Sequence, residues 1–245
     1  MSPPIAHTVG LALPWPRARR LRLQALVDQR RVPGMRRWLL LAVLLAACGP
    51  DRAPPSSRWL PVPLGDSPQR PAGAAWVTVV EFSDFECPYC RSEEPVVQRL
   101  GARYGADLRV VYKHLPLHAY STDAAAGAEC AGEQGLFWEM HDALFALPVG
   151  PTWVDDAAGA VAGLDLTLWN GCFAQGAVLA RVDADAALAR QLGVRGTPTF
   201  AVNGHEVLGA VEESQLAGVI DAALAEARAS GVPEADYYDQ VVLGL

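Results

Sequence analysis

The sequence predicts an α/β fold in which a βαβ unit and a β-hairpin are separated by a long helical insertion. Two runs of strand length, 76–82 and 108–113, are rich in β-branched and aromatic residues. Between them, a segment of helical length begins at Cys87 and carries Val96, Val97 and Leu100 at helical spacing. Strand, helix and strand in this order require a parallel pair of strands.

The second part of the chain predicts first helices and then a hairpin. Residues 121–192 are rich in alanine with a helical apolar period, so we interpret them as an inserted helical domain. Residues 197–202 and 206–208 are strands joined by the turn at 203–204, and a closing helix spans about 212–229.

The overall charge excludes one broad class of function. The formal net charge is −7, and the basic residues are crowded near the start of the chain. A general nucleic-acid binder needs a basic surface that neutralises phosphates, so we expect no nucleic-acid partner.

The N-terminal region has the pattern of an export signal. Met35-Arg36-Arg37 precedes an apolar run at 38–47, which is about half the ~20 residues needed to span a bilayer as a helix. The segment 45–48 resembles the lipobox of bacterial lipoproteins, which implies that Cys48 carries a lipid anchor. The alternative is an ordinary cleaved signal with an incidental cysteine.

These features divide the chain into segments of distinct character. We expect an N-terminal extension that is untranslated or unstructured, a lipoprotein signal, a proline-rich tether, a sheet domain in two parts, an inserted helical domain and a C-terminal tail. The extension is 1–34, the signal is 35–48 and the tether is 49–73. The sheet domain is 74–118 with 190–232, the helical insertion is 119–189 and the tail is 233–245.

The strongest chemical signal is Cys87-Pro88-Tyr89-Cys90 at the predicted start of a helix. Unpaired backbone N–H groups and the helix dipole stabilise a thiolate at that position, so Cys87 is the expected nucleophile and Cys90 the resolving thiol. Pro88 suits the first helical turn because it has no N–H to leave unpaired.

The cysteine pair has two alternative roles that involve no redox chemistry. A zinc site would need two more ligands, and His114 and His118 are the nearest candidates, although Pro116 between them argues against one helical face. A purely structural disulfide closes too short a loop to stabilise the fold strongly. We expect no metal and no cofactor.

Residues 81–90, Glu-Phe-Ser-Asp-Phe-Glu-Cys-Pro-Tyr-Cys, together with Thr197-Pro198, resemble the DsbA-like branch of the thioredoxin superfamily. The resemblance covers about residues 75–230 and implies a thioredoxin fold with an inserted helical domain. It implies that Pro198 is a cis-proline facing the cysteines, and that Pro88, Tyr89 and Thr197 contact the substrate. A trans proline at the start of an edge strand is the alternative.

The resemblance also suggests roles for buried acids. Glu81 matches an acidic position beneath the cysteine pair, where a buried carboxyl group can exchange a proton with Cys90. Lys113 on the neighbouring strand is its expected partner, and Glu94 matches a second acidic position near the site. A solvated carboxylate at the sheet edge is the alternative for Glu81.

The remaining two cysteines lie in the insertion. Cys130 and Cys172 are expected to form a structural disulfide between two of its helices, which suits an oxidising compartment. The alternative is a pair of buried free thiols.

The sequence therefore predicts a protein-disulfide oxidoreductase, with a DsbA-like oxidase as the leading hypothesis. The expected partners are cysteine-containing exported proteins and a membrane or soluble redox partner. The expected location is the periplasmic side of the bacterial cell envelope, as a lipid-anchored monomer. Alternatives are a thioredoxin-like reductase or isomerase, or a metal- or peptide-binding lipoprotein.

Overall fold

The computed structural model describes residues 58–176 and 178–245, which form a five-stranded mixed sheet with helices on both faces. The sheet order is β1-β3-β2-β4-β5, in which β2 and β3 are parallel and the other neighbours are antiparallel. In chain order the strands are β1 (Gln69–Arg70), β2 (Val77–Ser83), β3 (Leu108–His114), β4 (Thr199–Val202) and β5 (His205–Leu208). The predicted α/β fold with a helical insertion is confirmed.

Eight α-helices surround this sheet in the described part of the chain. They are α1 (Pro88–Tyr104), α2 (Ser121–Gly132), α3 (Phe137–Ala146), α4 (Trp153–Ala160), α5 (Leu166–Gln175), α6 (Leu179–Gln191), α7 (Glu213–Ala229) and α8 (Glu234–Tyr237). A 3-10 turn at Gly105–Asp107 and a π-helical turn at Tyr238–Leu243 complete the helical elements of these residues. Within the described ranges, no helix has the length and apolar character that a membrane crossing needs.

The central strand β2 is buried along its whole length because both faces of the sheet are covered. Val77 and Val79 face α1 and α7, whereas Val80 and Phe82 pack with residues of the opposite face. Since side chains alternate along a strand, Glu81 shares the α1 face with Val79.

Four helices of the insertion, α2 to α5, pack around an apolar core that also includes Cys90 and Tyr112. Met140, Leu144, Trp153 and Trp169 are fully buried there. Gly127 of α2 permits the close approach of these helices, because a Cβ at that position would lie 2.8 Å from Val154 Cγ1.

The prediction that the proline-rich segment is an unpacked tether is wrong for the residues from 58 onward. Leu60 and Val62 are buried in the core on the face of the sheet opposite α1, and β1 pairs with β3. The segment packs because its apolar residues alternate with prolines and meet an uncovered sheet face, which composition alone does not reveal. The predicted extension, the signal with Cys48 and residues 49–57 lie outside the described residues.

Two further boundaries differ from those predicted. Helix α6, predicted to belong to the insertion up to residue 189, also packs against the sheet, where Ala186 and Ala189 join the core with Val80. The predicted C-terminal tail is helical, and the hydroxyl of Tyr238 donates a hydrogen bond to the Val62 carbonyl at 2.8 Å. The domain on the sheet therefore extends beyond its predicted limits at both ends.

Candidate active site

The two cysteines lie where β2 passes into α1. Cys87 immediately precedes the helix, Pro88 is its first residue, and Cys90 follows one turn in. Both are free thiols; Cys90 is 0% exposed, whereas Tyr89 between them is 66% exposed.

Residues distant in sequence lie beside Cys87, which is 4% exposed. Its Sγ lies 3.4 Å from the carbonyl oxygen of Thr197, to which the thiol can donate a hydrogen bond. The Thr197–Pro198 peptide bond is cis. A groove of about 390 Å³ begins here and is lined in part by Arg58, Arg195 and the exposed Leu208. The groove therefore borders the Thr197–Pro198 segment whose carbonyl oxygen contacts Cys87.

The loop before Cys87 is held by one buried carboxylate. Asp84 accepts hydrogen bonds from the Ser121 hydroxyl at 2.5 Å and from the Leu117 N–H at 2.7 Å, and it pairs with Nδ1 of His118 at 2.7 Å. The carbonyl of Asp84 also accepts from the Cys87 N–H at 3.1 Å. These bonds fix the approach to α1 and tie it to the start of α2.

Arg91 anchors the insertion directly beside the cysteine pair. Its guanidinium donates hydrogen bonds to the carbonyl oxygens of Leu144, Phe145 and Leu147 at the end of α3. Because the last carbonyls of a helix lack partners within it, a cation stabilises them.

Glu81 lies beneath the cysteines on β2 and is 1% exposed. Burial, with the charge of Glu94 as the next cause, raises the pKa of Glu81 to about 8. Burial likewise raises the pKa of Cys90, with the charge of Glu81 as the next cause. Cys90 and Glu81 therefore favour their protonated forms, and each disfavours ionisation of the other.

The prediction of an ion pair between Glu81 and Lys113 is wrong. In the parallel ladder Glu81 stands opposite Tyr112, and Phe82 stands opposite Lys113, so the two charged side chains point to opposite faces of the sheet. Lys113 instead bonds to Asp185 of α6 at 2.9 Å.

The histidines considered as zinc ligands have other partners. Nε2 of His114 lies 3.1 Å from the Glu129 carboxylate, and His118 pairs with Asp84.

A cluster of charges that the sequence did not predict lies on the α1 side of Glu81. Glu94, His141 and Asp142 place donor atoms within 4.8 Å of one another. The guanidinium of Arg70 bonds both carboxylates, at 2.9 Å to Glu94 and 3.1 Å to Asp142. A cation already occupies this cluster, so we interpret it as an ion-pair network and not as a metal centre. One sequence signal was available: His141 interrupts the apolar stripe of α3, four residues from both Phe137 and Phe145.

The cysteines of the insertion are joined to each other. Cys130 of α2 and Cys172 of α5 form a disulfide with a Cα–Cα distance of 5.8 Å. The bond ties together two helices through residues that are 42 positions apart in sequence.

Comparison with known proteins places this site in a family. A family model described as Thioredoxin matches residues 71–222. A thioredoxin-like oxidoreductase of Silicibacter pomeroyi is 36% identical, with a TM-score of 0.59, and the match covers 64% of this chain and 91% of that one. A periplasmic thioredoxin-like protein of Salmonella enterica serovar Typhimurium is 26% identical, with a TM-score of 0.58 and coverage of 66% and 94%.

The curated relatives are much longer proteins. The Na(+)/H(+) antiporter NhaA 1 of Salinispora arenicola is 41% identical over 157 residues, which are 62% of this chain and 24% of the antiporter. The match thus spans about a quarter of the length of the curated relatives. The chain therefore belongs to the thioredoxin family.

Proposed function

We propose that Cys87 and Cys90 are the redox centre and that the protein exchanges disulfides with exported polypeptides, in the direction of oxidation. The observation that carries the proposal is the position of Cys87, at the start of α1 with its Sγ 3.4 Å from the Thr197 carbonyl oxygen. A client peptide extended along Thr197 and Pro198 would bring its own sulfur to this atom.

The exchange would proceed through a mixed disulfide. A client thiolate attacks Sγ of Cys87, the Cys87–Cys90 bond breaks, and Sγ of Cys90 leaves with the electron pair. Because burial raises the pKa of Cys90, this thiolate takes a proton, and Glu81 is the buried acid placed to supply it. A second client thiolate then attacks the client sulfur and releases Cys87, so the client is oxidised and the protein is reduced.

Export and lipid anchoring belong to the same proposal. The Cys130–Cys172 disulfide suits an oxidising compartment, and the related protein of Salmonella is periplasmic. We propose that Cys48 carries the lipid and that the protein acts as a monomer in the cell envelope. Mass spectrometry of the mature N-terminus tests the first point, because a Cys48→Ala variant would lack the lipid mass and leave the membrane fraction.

The reduction potential tests the direction of electron flow. The full chain in mild detergent would be equilibrated with glutathione and the Cys87–Cys90 pair quantified by thiol labelling, with Cys130 and Cys172 intact. A value near about −120 mV supports an oxidase, whereas one near about −270 mV assigns the protein to the reductases. The reductase is the second candidate, because Thr197 before the proline resembles the isomerase and reductase branches.

A further inference from the structure

The proposed exchange moves a proton inside a closed site. Each time Cys90 leaves the disulfide it needs a proton, and each time it attacks it must lose one. Cys90 is 0% exposed and Glu81 is 1% exposed, so neither group meets solvent directly. A proton supplied by Glu81 must be replaced through other groups, because proton transfer needs neighbours within hydrogen-bond reach.

Glu94 is a buried acid of α1 whose charge acts on Glu81. It lies one turn beyond Cys90 on α1, is buried, and affects the pKa of Glu81 more strongly than any other neighbouring charge does. Arg70 and Gln98 both donate to Oε1 of Glu94, at 2.9 Å and 3.0 Å. This leaves Oε2, which faces Nε2 of His141 at 3.6 Å. That distance exceeds a hydrogen bond by a few tenths of an ångström, within the range of a small side-chain movement.

His141 joins the buried carboxylate to the surface. Its imidazole is surrounded by the rings of Phe85, Tyr112, Phe137, Trp138 and Phe145, with centroid distances of 4.9 to 6.2 Å. On the far side of the ring, Nδ1 lies 2.8 Å from Oδ1 of Asp142, whose side chain is 47% exposed. An imidazole accepts a proton at one nitrogen and releases one from the other, and the two nitrogens of this ring face the carboxylates of Glu94 and Asp142.

We propose that Glu94, His141 and Asp142 are relay residues that carry protons between Glu81 and solvent during thiol–disulfide exchange, an inference that rests on the proposed redox role of Cys87 and Cys90. When Sγ of Cys90 leaves with the S–S electron pair, it takes the proton of Glu81. The Glu81 carboxylate recovers a proton from Glu94, Glu94 from Nε2 of His141, and Nδ1 of His141 from Asp142 and solvent. When Cys90 attacks to re-form the disulfide, its proton moves along the same residues to solvent. No net charge therefore accumulates in the buried site.

A second acid offers a competing path. Glu93 is buried, its Oε2 accepts a hydrogen bond from the Val211 N–H at 3.2 Å, and it borders a groove of about 580 Å³. Burial raises the pKa of Glu93 to about 7. The titratable and polar groups that act on Glu81 from the packed elements belong to α1, β1, β2 and β3; they are Cys90, Glu93, Glu94, Arg70, Ser83 and Tyr112. Glu94 is favoured because its charge affects the pKa of Glu81 more than that of Glu93 does, and because its carboxylate faces the imidazole of His141.

The test compares exchange kinetics in matched variants of the full chain in detergent. The rate at which dithiothreitol reduces the Cys87–Cys90 disulfide would be followed by rapid acid quench and thiol labelling, between about pH 6 and 8.5, in H2O and D2O. The variants are His141→Gln, Asp142→Asn and Glu93→Gln. His205→Gln is the control, because His205 also lies 3.6 Å from a carboxylate, that of Glu226, on the far strand β5.

A relay changes rates without changing equilibria. We expect His141→Gln to slow reduction by about tenfold or more near pH 7 and to enlarge the solvent isotope effect, with a smaller loss for Asp142→Asn and none for His205→Gln. The reduction potential of His141→Gln should stay near that of the unmodified protein. A further variant, His141→Ala, leaves a cavity that can admit imidazole. Added imidazole should therefore speed the reduction of the disulfide in His141→Ala and should not speed it in His141→Gln.

Three outcomes would overturn the relay. The first is that His141→Gln and Asp142→Asn show unchanged reduction rates and isotope effects. The second is that only Glu93→Gln loses reduction rate. The third is that His141→Gln is reduced slowly with a normal isotope effect and that imidazole does not speed the reduction of His141→Ala. Failure of the proposed function is separate, because the unmodified protein would then show no exchange dependent on Cys87.

Discussion

The ammonium of Lys113 donates a hydrogen bond to Oδ1 of Asp185 at 2.9 Å, while Oδ2 of the same carboxylate accepts one from the His114 N–H at 3.0 Å. Lys113 also donates to the carbonyl oxygen of Leu64 at 3.1 Å. Both charged side chains are buried, so the pair joins β3 to α6 and to the N-terminal segment where water cannot replace a lost partner. The lysine expected to serve the cysteine site instead holds the opposite face of the sheet.

Replacing one member of this pair should destabilise the protein strongly. We expect Asp185→Ala to lower the free energy of unfolding by about 3 to 5 kcal/mol, because it leaves the Lys113 charge buried without a partner. Urea unfolding measures this loss. The double variant Lys113→Met/Asp185→Leu should recover most of it, and a single variant that loses less than about 1 kcal/mol would contradict the buried pair.

A second prediction concerns the pH dependence of stability. Glu81 has a pKa of about 8 in the folded protein against a usual value of 4.5, so the unfolded chain ionises first. Stability should therefore fall as pH rises from about 4.5 to about 8, and it should level off above that range. In Glu81→Gln this contribution disappears, so urea unfolding of the reduced protein at pH 5 and pH 8 should differ less than in the unmodified chain.

The matched control for this experiment is Glu213→Gln. Glu213 is an exposed acid that pairs with Arg99 at 2.7 Å. Its replacement should not remove the fall in stability with rising pH that Glu81 causes. Some slope should remain in Glu81→Gln because burial raises the pKa of Glu93 to about 7. Equal slopes in Glu81→Gln and the unmodified protein would show that Glu81 ionises normally.

The elements around the cysteines were predictable because local rules decide them. Runs of β-branched and aromatic residues predict β2 and β3, and Asn203-Gly204 predicts the turn between β4 and β5. The face occupied by Lys113 was not predictable, because it depends on the register of β2 against β3. A register shifted by one residue would have placed Lys113 beside Glu81.

The charge cluster beside the site was missed for a different reason. Arg70, Glu94 and Asp142 come from three elements that are distant in sequence, and Arg70 lies in a segment predicted to be an unpacked tether. Proline content alone indicated a tether, whereas Leu60 and Val62 show that a proline-rich segment packs when its apolar residues find an open sheet face. Contacts of this kind depend on tertiary packing and have no local signature.

The two cysteines of the proposed redox centre should fail in different ways. Cys87→Ser should abolish exchange, because the sulfur that meets the client is removed. Cys90→Ser should accumulate mixed disulfides with clients, because Cys87 still reacts and the resolving thiol is absent. Non-reducing gels followed by mass spectrometry would detect these species, and normal turnover by Cys90→Ser would refute the assigned roles.

The Cys130–Cys172 disulfide should contribute stability without taking part in exchange. Its partners are 42 residues apart, and closing a loop of that size stabilises a protein by about 4 kcal/mol in the chain-entropy model. We expect Cys130→Ser/Cys172→Ser to lose stability by an amount of this order in urea unfolding. Below its unfolding transition, the double variant should keep the exchange rate and reduction potential of Cys87–Cys90. A changed potential in a fully folded double variant would show instead that the insertion communicates with the cysteine pair, and the contacts of Arg91 with the end of α3 would be the first route to examine.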